Sequence, residues 1–135
     1  MATTTPPDVA PPAPSDPTLE LFYAAKLANL STDFRSHVLR AVACYERGST
    51  SPTVEGRHLH ATAIAEEIAR ARVVANDFAT YAPLVIGDAA LIEAFALFAR
   101  EAAEQVDGLA AGLAPWLADV ERELKLVDGP KAGQA

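Results

Sequence analysis

The residues best suited to chemistry in this chain are its three histidines, His37, His58 and His60, and the acidic residue spaced against one of them. Glu55-Gly-Arg-His58 has the Glu-x-x-His spacing with which helical bundles hold a metal ion, because positions i and i+3 project from one helical face. A two-metal centre needs a second such pair and two more glutamates on facing helices. The chain has one copy, and nothing phases the nearest glutamates, Glu20 and Glu93, against Glu55. A four-residue match of this kind arises by chance, so His58 and His60 are read as exposed on the first two turns of a helix. An exposed helical histidine can also carry a phosphoryl group in a four-helix domain. There a lysine normally steadies the phosphate and a glycine admits the partner, and the run His60-Ala-Thr-Ala-Ile-Ala contains neither.

Ser, His and Asp occur without a nucleophile elbow, a phosphate-binding glycine loop or a dinucleotide fingerprint. The sequence therefore assigns no catalytic, cofactor-binding or metal-ligating residue, and predicts a protein that is not an enzyme. Cys44 is the only cysteine, which rules out an intramolecular disulfide and a dithiol motif. With an N-terminus that lacks the basic region and apolar core of a signal peptide, this points to the cytoplasm. A net charge of −7 and a pI near 4.8, with basic residues scattered singly or in short pairs, argue against nucleic acid and anionic membrane surfaces. The most apolar window, Phe78 to Ala99, is interrupted by Pro83, Gly87, Asp88 and Glu93, so no transmembrane segment is expected.

These residues must be held by helices. From Asp88 to Val127 apolar residues recur every three or four positions, from Leu91, Phe95 and Phe98 to Val120, Leu124 and Val127, which places them on one helical face. A second, mostly alanine stripe (Ile92, Ala96, Ala99, Ala103, Ala110, Ala114) runs beside it, as if to meet a second neighbour at close range. Gly108-Leu-Ala-Ala-Gly112 is a small-xxx-small pattern that admits another helix closely, from this chain or from another copy. Pro115 lacks an amide hydrogen and clashes with the carbonyl four residues back. The third helix is thus expected to be kinked there, or split so that 116–127 folds back as a fourth.

Two shorter helices precede it. The first should start at Pro17 with Asp16 as its cap, carry Tyr23, Leu27, Leu30, Phe34, Val38, Ala41 and Tyr45 on its buried side, and end in a left-handed Gly48. Ser31 or Thr32 can cap a new helix, but the stripe passes through without losing phase. After a short polar connection, which implies an antiparallel hairpin, Ser51 and Pro52 should open the second helix. Its stripe of Ala61, Ile64, Ile68, Ala71, Ala75, Phe78 and Ala82 is half alanine, which favours close backbone packing over area burial. Pro83 ends it. Leu84, Val85 and Ile86 then form an unusually apolar connection, either a plug over the bundle end or a contact patch.

The fold class read from the sequence is all-α, an antiparallel bundle of three long helices over 18–128. A proline-rich arm over 1–17 is expected to be disordered and solvated, and 129–135 to form a frayed tail after Asp128-Gly129-Pro130. Pro11 and Pro14 match PxxP without a nearby basic residue to orient it. A third helix longer than its neighbours can cover predicts a non-catalytic assembly, adaptor or chaperone-like protein that contacts copies of itself or a protein partner. The expected interface comprises Leu84, Val85, Ile86, Gly108, Gly112, Trp116, Leu117, Val120 and Leu124. The alternatives are a metal-binding or histidine phosphotransfer bundle and an amphipathic coat on an apolar surface.

Overall fold

The apolar stripes become the inner faces of three long helices in the computed structural model, which describes residues 17–85 and 88–134, with side chains over 18–85 and 88–127. Helix α1 spans Pro17–Ser49, α2 spans Val54–Tyr81 and α3 spans Ala89–Gln134, with a short 3-10 turn at Ala82–Leu84. Among the described residues there is no strand, and the fold is an all-α helical bundle. The proline-rich arm, the Asp16 cap, Ile86 and Gly87 lie outside the described residues.

Helix α1 runs unbroken through Ser31 because the hydroxyl there donates to the Leu27 carbonyl one turn back, at 2.9 Å, instead of capping a new helix. Its end differs from the expectation. Gly48 lies inside the helix, buried and without a left-handed φ, and its value is the missing side chain. A Cβ there would sit 2.8 Å from His60 Cβ and 2.9 Å from Trp116 Cη2. The glycine thus lets all three helices converge at one corner.

Helix α2 starts two residues later than Pro52 predicts. Thr53 is the cap, with extended backbone and a hydroxyl that accepts from the Gly56 amide at 3.0 Å. Its stripe is buried from Ala61 to Phe78, joined by Val74 and Glu67, while Ala82 falls in the 3-10 turn and is half-buried. Asp88 caps α3 by accepting from the Leu91 amide at 3.1 Å. Helix α3 then continues for 46 residues, through Pro115 and on to Gln134. The predicted split into a fourth helix does not occur, and the helix also passes the Asp128-Gly129-Pro130 stop. An established helix adds residues without a new nucleation cost, so a single missing amide donor lowers its stability without ending it.

The layout is set by α2, which packs along both other helices, whereas α1 and α3 touch little. Helices α1 and α3 are parallel, joined by Tyr23 with Phe95 near one end and Tyr45 with Trp116 at the other. Helix α2 runs antiparallel between them, as Phe78 with Phe98, Arg72 with Asp107 and Arg57 with Glu123 mark out. This register corrects the expectation of an uncovered stripe. The first turns of α2 reach Glu123, and the α1 end reaches Trp116, so the hairpin covers the far end of the stripe through Val120 and leaves its last residue, Val127, exposed. The alanine stripe, in contrast, is largely open: Ala96, Ala103 and Ala114 are exposed, and only Ala99 and Ala110 pack on the core.

Gly48→Ala tests the corner. Alanine favours helix by about 1 kcal/mol over glycine, but the added methyl must displace His60 or Trp116, which costs about 1–3 kcal/mol. A lower urea midpoint is expected despite the better helix former, and a raised midpoint would show that the corner has room to relax.

Candidate functional site: a groove between the outer helices

The residues expected at an interface fall into two groups. Val85 is buried as a plug beneath the 3-10 turn, while Leu84 beside it is 52% exposed. Trp116 lies edge-on to Tyr45 with ring centroids 5.3 Å apart, Leu117 packs on the core, Val120 is only 1% exposed and Leu124 is half-buried. The far end of α3 is therefore placed against the chain's own hairpin, because the α1–α2 corner reaches that level. Gly108 and Gly112 are the opposite case. Both are exposed, and a Cβ built on either meets nothing within 4 Å. The close approach they permit is not used inside the chain.

An open groove of about 720 Å³ lies between α1 and α3, its lining on α3 ending at Gln105, three residues before Gly108. It exists because α2 holds the two outer helices apart. Its floor is Phe34, Val38, Phe78 and Ala102, residues shared with the core. Its lips are mixed: Leu39 and Arg35 on α1, and Phe98, Glu101, Glu104 and Gln105 on α3. Leu39 is 59% exposed and Phe98 37%, both high for residues of this size beside a core. On α3 the sequence Phe98, Glu101, Gln105, Gly108, Gly112 advances by three or four residues, so the glycines continue the same face. The signal for this groove was present in the sequence at Leu39, which falls off the buried stripe of α1 by one residue. Nothing in a single helix's pattern could show that α3 leaves that residue uncovered.

The titratable residues are arranged for structure. Glu67 is the one buried charged residue among those described, in contact with α1. His37 Nδ1 donates to its Oε1 at 2.7 Å, with Arg40 and Arg70 each 3.8 Å from a carboxylate oxygen. The sequence contained a hint here too, since Glu67 stands three residues after Ile64 and four before Ala71, on the edge of the α2 stripe. Glu55 and His58 are both exposed on the first turns of α2. Among the described residues no three His, Cys, Asp or Glu side chains converge as a metal cage, and no helix is long and apolar enough to cross a membrane. Against known proteins, no family model, curated protein or solved structure matches this chain.

Three substitutions separate structural from chemical roles. Glu67→Ala removes the acceptor of a part-buried imidazole and should cost about 1–3 kcal/mol in denaturant unfolding, with Glu67→Gln milder because the amide oxygen still accepts. His58→Ala, at an exposed position, should change stability by less than about 0.5 kcal/mol and leave the metal content of purified protein unchanged. Stoichiometric metal lost with His58 would instead make the Glu55–His58 pair a ligand set.

Proposed function

We propose that this protein is a non-catalytic assembly or adaptor protein, which works in the cytoplasm by receiving a helix of itself or of a protein partner along the α1–α3 groove. The observation that supports it best is the groove's chemistry. An apolar floor is flanked by a large aliphatic and a large aromatic side chain that the chain's own fold leaves exposed. Fully burying a Leu or Phe is worth about 1.5–3 kcal/mol each, so a helix laid over Leu39 and Phe98 has a definite gain against its ordering cost. The rim is polar, with Arg35, Glu101, Glu104 and Gln105, the arrangement by which interfaces fix register around an apolar centre.

The reading needs no rearrangement of the bundle. Coating an apolar surface with flattened helices would first separate Phe78, Phe95, Ile64, Val106 and Val120, the largest fully buried side chains, from their packing partners. A groove that is already open has no such cost.

Site-specific photocrosslinking from position 39 in cells that express the full chain tests the reading. A discrete protein adduct is expected from Leu39 and none from Ala69, which is exposed on the outer face of α2. If position 39 gives no adduct of any kind while the protein is folded, the groove is not a contact surface.

A further inference from the structure

We infer, building on the reading of the groove as a helix-contact surface, that what covers its two lips is a second copy of this chain, related by a two-fold axis parallel to the helices. The argument begins with register. Tyr23 meets Phe95 and Tyr45 meets Trp116, so a residue of α1 is level with the α3 residue 71 or 72 positions later. Leu39 is then level with position 110 or 111, midway between Gly108 and Gly112. Arg35 is level with position 106 or 107, less than one turn from Glu104.

Each lip of the groove therefore carries, at the same height, the complement of the other. Helix α1 offers a large knob and a cation. Helix α3 offers a gap over two glycines, open for at least 4 Å around each missing Cβ, and an anion. Among the described residues, neither Arg35 nor Glu104 has an ion-pair partner, and the nearest ion pairs on these helices involve other residues. The groove between the lips keeps these complements from meeting within one chain.

A two-fold axis parallel to the helices and in front of the groove solves this geometry, because rotation about it leaves height along the helices unchanged. It sets α1 of one copy against α3 of the other. Leu39 then enters the gap over Gly108 and Gly112 of the second copy, and Arg35 meets the second copy's Glu104, each contact made twice. A two-fold axis perpendicular to the helices would instead set α3 against α3 and bring Glu101 and Glu104 of both copies onto one acidic seam. The opposite signs on the two lips select the parallel arrangement.

Light scattering on the full chain should give twice the 14.2 kDa of one chain at micromolar concentration. Arg35→Glu should reduce this to one chain while helicity by circular dichroism is kept, and Arg35→Glu with Glu104→Arg should restore the pair. Gly112→Leu should also give a folded single chain, since its side chain meets nothing within its own fold but fills the gap for Leu39. In a Cys44→Ser background, Leu39→Cys with Gly108→Cys should form an oxidised two-chain band, and Leu39→Cys alone should not. A single-chain wild type overturns the second-copy inference but leaves the groove reading, which falls only if position 39 crosslinks to nothing. A wild-type pair that survives Arg35→Glu, or a band from Leu39→Cys alone, overturns the arrangement.

Discussion

A middle helix with two neighbours must be narrow on both sides, and α2 meets that constraint with alanine. Ala61, Ala71 and Ala75 are buried between larger side chains at Ile64, Ile68 and Phe78, so two helices can approach one axis closely without large voids. The rest of the architecture follows. Once both outer helices take their cover from α2, they have little reason to contact one another, and the valley between them stays open. Gly48 extends the same logic to the end of the bundle, where His60 and Trp116 occupy the space a side chain would need. Small residues in this protein are placed where backbones meet or where one side of a helix has been left for something else.

Much of this was legible from spacing alone. The three stripes, the Asp88 cap, the continuity of α1 through Ser31 and the buried face of α2 all follow from local periodicity and local hydrogen bonding, which one helix determines for itself. What failed was of another kind. A glycine at position 48 predicts a left-handed terminator, because glycine commonly serves there, whereas its role depends on Trp116, 68 positions away in sequence. At Pro115 the local cost predicts a kink or a split, but the packing of Leu113, Trp116, Leu117 and Val120 on both sides of it keeps the helix unbroken.

The groove and the His37–Glu67 pair were hidden for the same reason. Each depends on the register between helices, and a hydrophobic period gives the phase of a helix without its offset against a neighbour. Counting residues suggested that α3 outran its partners. The aromatic and ionic contacts show that the α1–α2 corner extends to the level of Glu123, so Trp116, Leu117 and Val120 pack internally while Leu126 and Val127 beyond that level stay exposed. More of the surplus lies along the side of the bundle, and surplus of that kind is visible only once Leu39 and Phe98 are seen to flank an open valley.

The sparse contact between α1 and α3 also bears on how the chain reaches its native state. Nearly all packing joins helices adjacent in sequence, so pairing can zip outward from each short connection, and helical domains of this kind belong to the class that folds in microseconds to milliseconds. Either hairpin, α1 with α2 or α2 with α3, can form first, and the missing outer helix then zips onto a preformed neighbour. The same topology makes α1 and α3 separable on the way out. Native-state hydrogen exchange should therefore rank α2, which is enclosed from two sides, as the slowest to open, with the outer helices opening by routes that need not involve each other.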